Sequence, residues 1–206
     1  MTDTPEPAAP DGAPLALWAG DSFTAGEGSR GHPFTYPFLV SAALGWQCVL
    51  DAQCGTGFVN PGHLASPDFE PLLARLPGLR RRHPHAREVI VDAGRNDSEE
   101  SELAVALAAR SYLDAVRAGW PTATVTVLLP TLLEARQPAG YQRISGLLRE
   151  ICAGRPGVRV VDPGADAEFV RACESPGRWS LVCPDGFHPS HQGQGLYARV
   201  LTRLLA

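Results

Sequence analysis

The sequence predicts an α/β domain, a three-layer α/β/α sandwich with a five-stranded parallel sheet in a flavodoxin-like arrangement. Short apolar runs rich in Val, Leu and Ile alternate with longer segments of helical period, which is the mark of successive βαβ units. A length of 206 residues is enough for one buried core without metal or disulfide support. Neither an internal repeat nor a linker interrupts the alternation.

Taken in order, the first fourteen residues, MTDTPEPAAPDGAP, have neither a basic n-region nor an apolar h-region. They read as a disordered tail (1–14) ahead of a single domain (15–206), not as a secretory signal. Strands are expected at Leu15 to Ala19, Gln47 to Ala52, Glu88 to Ala93, Thr124 to Leu129 and Val158 to Val161. Thr35 is placed to cap a helix, with Pro37 in its first turn and Gly45 at its end. Residues 98 to 118 carry Leu103, Leu107, Leu113 and Val116 near the helical repeat, as a stripe facing the sheet. Leu196, Val200, Leu201 and Leu204 form a similar stripe in the last helix. The connection from Pro163 to Pro184, with Phe169, Trp179 and two cysteines, is either a lid or a short helix, Ala165 to Cys173, followed by coil.

Composition narrows the function. A formal net charge of -4 lacks the positive field that nucleic-acid binding needs. Apolar runs are too short for a membrane span, so a soluble, cytoplasmic protein is expected. Five cysteines form no CxxC pair, and the odd count leaves at least one thiol free. Cys173 and Cys183 share one connection and could pair, although a cytoplasm keeps most thiols reduced. His32, His63 and His191 have no paired metal-ligand spacing. The basic cluster within Arg75 to Arg87 precedes the third strand and is expected on a solvated face at the amino edge.

In parallel sheets of this kind the chemistry lies beyond the carboxyl ends of the strands. The first such loop begins Gly20-Asp21-Ser22-Phe23-Thr24-Ala25-Gly26, which offers Ser22 to a substrate. A serine hydroxyl is a weak nucleophile unless an oriented base takes its proton. Pro184-Asp185-Gly186-Phe187-His188-Pro189 supplies both parts: Asp185 can bond one imidazole nitrogen of His188 while the other faces the serine. Asp21 is read as a loop-holding acceptor of backbone hydrogen bonds. Asp97, in Gly94-Arg95-Asn96-Asp97, is read as a helix cap with Glu100 completing a capping box.

GDSF, AGRND and DGFHP, in that order and at those intervals, resemble the ordered blocks of the SGNH (GDSL) hydrolases, and the resemblance spans Gly20 to Pro189. It implies the same α/β/α sandwich and a serine esterase with Ser22 as nucleophile, His188 as base and Asp185 as its orienter. It also implies an oxyanion hole built from the Asn96 amide, the Ser22 backbone N–H and the N–H of a glycine after strand two. That second block, Asp51-Ala52-Gln53-Cys54-Gly55-Thr56-Gly57-Phe58, departs from the commoner asparagine-led form with its Ser-Gly. Gly55 is assigned the role, with Gly57 as the alternative.

Phe23, Phe58, Trp179 and Phe187 are candidate walls of an acyl or ring pocket. Arg95 is a candidate substrate-binding cation, or else a salt-bridged arginine on the surface. The implied reaction is a two-step acyl transfer needing no cofactor or metal, on a small-molecule or carbohydrate ester. An acyltransferase using the same serine and a non-catalytic binding domain on the same fold are the alternatives.

Overall fold

A computed structural model describes residues 12–206. Residues 1–11 of the expected tail lie outside the described residues, and Pro14 already belongs to the domain, its carbonyl accepting from the Gln47 amide at 2.9 Å. Five strands, β1 (Leu15–Gly20), β2 (Gln47–Ala52), β3 (Glu88–Asp92), β4 (Thr124–Leu128) and β5 (Val158–Val161), form one sheet in the order β2-β1-β3-β4-β5. Every pairing is parallel. Each strand sits within a residue of its expected bounds.

Both faces are covered. On β1, Leu17 and Ala19 join the core on one face while Ala16 and Trp18 join the core on the other. Such a strand has no polar side, which is why it reads as an unbroken apolar run. Helices α3 (Leu72–Arg82), α4 (Glu102–Gly119) and α5 (Ala139–Cys152) cover the first face. Helices α2 (Tyr36–Leu44), α6 (Ala167–Glu174) and α7 (His191–Leu205) cover the second. The register sets Gly20 beside both Ala52 and Asp92, so the exits of β1, β2 and β3 are neighbours. The sheet order changes direction at β1, and the crevice at such a switch point is where these folds place ligands.

Two details differ from the expected pattern, and a third takes one of its two expected forms. The buried stripe of α4 is Val105, Ala109, Tyr112, Leu113 and Val116, whereas Leu103 and Leu107 are 70% and 58% exposed. Leu103 and Leu107 stand two residues either side of Val105, about 200° round the helix, and so face away from the sheet. Thr35 occupies the cap position of α2, but its hydroxyl donates to the His32 carbonyl and not to the helix. The connection 163–184 takes the helical form, with α6 between 3-10 turns at Pro163–Ala165 and Pro176–Leu181. Asp166 caps α6 by accepting from the amides of Glu168 and Phe169 at 2.8 and 3.1 Å.

Cys173 and Cys183 are both free thiols. Among the described residues no helix is long and apolar enough to cross a membrane.

Candidate active site

Ser22 opens a single helical turn, α1 (Ser22–Ala25), directly after β1. Asp21 caps this turn through its Oδ1, which accepts from the Phe23 amide at 2.9 Å. Gly20 makes the tight exit possible: a Cβ there would lie 2.7 Å from the Asp92 carbonyl oxygen, closer than any side chain tolerates. The result is a serine hydroxyl fixed at the carboxyl edge of the sheet.

His188 reaches that hydroxyl from the other end of the chain. Its Nε2 lies 2.9 Å from Ser22 Oγ, and its Nδ1 lies 2.7 Å from Asp185 Oδ2. The other oxygen of Asp185 accepts from the amides of Phe187 and His188 at 2.9 and 3.0 Å, which curls the DGFHP segment so that carboxylate and imidazole meet. The His188 hydrogen bond, with these backbone donors, holds the Asp185 carboxyl below the usual carboxylate range although it is partly open to solvent. An isolated antiparallel bridge between Val182 and Pro189 closes the base of the loop. Asp185, His188 and Ser22 thus form one continuous hydrogen-bonded chain.

The loops after β2 and β3 approach from the other side. Asn96 Nδ2 donates to the Thr56 carbonyl at 2.9 Å, and Asn60 Nδ2 donates back to the Asn96 carbonyl at 3.2 Å. The two candidate glycines are not equivalent. The Gly57 amide is used up by the Asn60 carbonyl at 2.8 Å. Gly57 also has a packing role, because a Cβ there would fall 2.4 Å from the Asp97 carboxylate. The Gly55 amide has no partner among the described residues.

Asp97 is not the helix cap expected from its position. Its carboxylate is fully buried and accepts from the amides of Phe58, Val59 and Asn60 at 2.7, 3.1 and 3.0 Å. The cap of α4 is Ser101, whose hydroxyl accepts from the Ala104 amide. Asp97 therefore fastens the second loop to the third, a role invisible in the local sequence because its partners are nearly forty residues away.

Arg95 is salt-bridged, as one of its expected readings has it, but it is buried and not on the surface. It is 2% exposed, so it neither sits on the surface nor points at solvent for a substrate. Its guanidinium bonds Asp92 at 2.6 Å, Asp21 at 3.4 Å and the Thr131 carbonyl at 3.3 Å, and covers the Phe23 ring at 4.3 Å. Asp92 in turn accepts from the hydroxyls of Tyr36 and Thr24. The sequence sign of this cluster is the aspartate that ends β3 after the apolar run Val89 to Val91.

The aromatic assignments divide. Phe23 and Phe58 are 0% and 3% exposed and belong to the two cores, where Phe58 packs on Tyr112 and Phe23 on Tyr197. They are packing residues and not pocket walls. Phe187 is half-buried, edge-on to both Phe23 and the His188 ring. Trp179 is 64% exposed and stacked on Arg178.

Away from the site, Arg80, Arg81 and Arg82 are exposed near the amino edge, as a solvated face requires. Arg75, one end of that basic segment, is instead buried against Asp51 and the Gly20 carbonyl. Because α3 runs antiparallel to the strands, its first turns lie at the carboxyl edge. Among the described residues no three His, Cys, Asp or Glu side chains converge as a metal set would.

A parallel α/β sandwich with a serine, a histidine and an aspartate joined at its carboxyl edge falls in the class of α/β hydrolytic enzymes. A family profile described as "GDSL-like Lipase/Acylhydrolase family" matches residues 19–196. The chain belongs to that family.

No curated protein sequence matches the chain. Among solved structures it resembles a family two carbohydrate esterase from Clostridium thermocellum in complex with cellohexaose, at 17% identity and TM-score 0.71. That likeness covers 93% of this chain but 63% of the other, so the chain spans under two thirds of that protein. A putative arylesterase from Agrobacterium tumefaciens is 20% identical with TM-score 0.67, covering 93% and 98% of the two chains. The carbohydrate acetylesterase Est24 from Sinorhizobium meliloti is 17% identical with TM-score 0.66 and the same coverage. At these identities the likeness speaks for the fold.

Proposed function

We propose that the domain cleaves carboxylic esters through an acyl-enzyme on Ser22. The observation that carries this reading is the hydrogen-bonded chain from Asp185 through His188 to Ser22, closed between residues 166 positions apart. His188 takes the Ser22 proton as Oγ attacks the ester carbonyl, and Asp185 holds the imidazole in the required tautomer and steadies the imidazolium. The oxyanion rests against the side-chain amide of Asn96 and the backbone amides of Ser22 and Gly55. The Asn96 amide has a second N–H beyond the one given to Thr56, and the Gly55 amide is unclaimed, so neither has to break a protein hydrogen bond to serve. His188 then protonates the leaving alcohol, and a water activated by the same imidazole releases the acid.

The substrate class is a small-molecule or carbohydrate ester. The likeness to a carbohydrate esterase and a carbohydrate acetylesterase supports this choice. The test is intact-mass measurement after a fluorophosphonate probe, with wild type and Ser22→Ala. Wild type is expected to gain one adduct and the variant none; equal labelling of the two, or labelling of neither, refutes the proposal. Release of acetate from acetylated oligosaccharides, compared with p-nitrophenyl esters of increasing chain length, checks the substrate class.

A further inference from the structure

We propose that Arg95 is a positioning residue that ties the turn bearing Ser22 to the turn bearing Asn96. The inference rests on the serine-esterase reading above.

Asp21 precedes Ser22 and Phe23 follows it; Arg95 precedes Asn96. The guanidinium of Arg95 grips the first pair from below, through its bond to Asp21 and its contact with the Phe23 ring. It also holds the end of β3 through Asp92 and the exit of β4 through the Thr131 carbonyl. One planar group therefore fixes three strand exits at once. That geometry suits a rigid fork of donors and not a lysine ammonium on a flexible stem. A nucleophile and an oxyanion donor on separate loops need such a brace, because misplacement by about 1 Å can lower a rate on the order of a hundredfold.

Stability is a poor explanation for the cluster. Arg95, Asp21 and Asp92 are 2%, 0% and 1% exposed, and the desolvation of buried ions offsets much of their attraction. Two carboxylates also face one guanidinium. Phe23 separates this charge from the base, with Arg95 over its ring and the His188 ring 5.8 Å from its centroid. One carboxylate already balances Arg95, and the second leaves the cluster net negative, which favours an imidazolium on the far side of the ring.

The groups facing Asp21 are Arg95 and Asp92, with Tyr141 on α5 and Cys54 on the second loop further off. Burial pushes its carboxyl up to about 6, with Asp92 adding to the rise and Arg95 opposing it. As pH falls through that value Asp21 takes up a proton and its ionic hold on Arg95 lapses. Wild type at low pH then resembles Asp21→Asn.

The experiment compares wild type, Ser22→Ala, Arg95→Lys and Asp21→Asn in p-nitrophenyl acetate hydrolysis from about pH 8 to about pH 5, with melting temperatures. At the upper pH both Arg95→Lys and Asp21→Asn are expected to lose about tenfold or more in kcat, with KM within about twofold. The deficit of Asp21→Asn is expected to shrink as pH falls through the Asp21 transition, which a merely structural defect would not do. Asp21→Asn keeps an acceptor for the Phe23 amide and removes the excess charge, so it reports even if Arg95→Lys fails to fold. Wild-type turnover in Asp21→Asn at the upper pH, or a deficit that does not change with pH, overturns the inference. If Ser22→Ala remains active, the nucleophile assignment itself is wrong; if it is inert while Asp21→Asn is unaffected, only the positioning role falls.

Discussion

Replacing Asp97 with alanine tests whether a buried carboxylate, and not the loop sequence alone, holds the candidate oxyanion loop in place. Three backbone amides donate to Asp97, and Phe58 is fully buried while Val59 and Asn60 are half-buried. A hydrogen bond to a charged acceptor contributes about 1.5–3 kcal/mol where the donor stays dry, and less where water can replace the acceptor. Counting about 2–3 kcal/mol for Phe58 and about 0.5–1 for each of the others gives a loss of about 3–5 kcal/mol. Against a total stability of about 5–15 kcal/mol the domain is expected to remain folded but weakened. At about 2–4 °C per kcal/mol for a chain of this size, the melting temperature should fall by roughly 6–20 °C.

Asparagine should not rescue it. Oδ2 serves Phe58 while Oδ1 serves Val59 and Asn60, so an amide nitrogen in either place meets a donor with a donor. Differential scanning calorimetry and urea denaturation supply the measurement. A melting temperature within about 2 °C of wild type in Asp97→Ala, or full recovery in Asp97→Asn, would refute the reasoning.

Two further outcomes follow from the same structure. Asn96→Ala should lower ester turnover by on the order of a hundredfold or more while the melting temperature changes little, and unchanged turnover on p-nitrophenyl acetate would remove Asn96 from the oxyanion hole. On α4, Leu107→Lys should change unfolding free energy by no more than about 0.5 kcal/mol in urea titrations, whereas Leu113→Ala should lose about 2–5 kcal/mol. The reverse ranking would restore the stripe through Leu107 that the sequence period suggests.

The elements of the sheet were legible because their signals are local. A doubly covered strand such as Leu15–Gly20 must be apolar on both sides, and that shows in six consecutive residues. The serine, asparagine and histidine motifs were legible for a related reason. Each sits in a short turn where a glycine and a small polar residue mark the change of direction, as in GDS, GRND and DGFHP. The α4 stripe misled because its leucines lie on both sides of the helix, and spacing by itself does not say which side meets the sheet.

What the sequence determined alone is the parallel α/β plan and the three blocks that carry the candidate nucleophile, amide and base. What only the tertiary structure decided is how the polar groups between those blocks are partnered. Asp97 finds Phe58 across 39 residues, and Arg95 finds Asp21 across 74. Neither a capping aspartate nor a surface arginine can be told from a buried clamp by its neighbours in the chain. Whether a charge meets solvent or a distant amide depends on which segments the sheet brings together, and this sheet folds the exits of β1, β2 and β3 against one another.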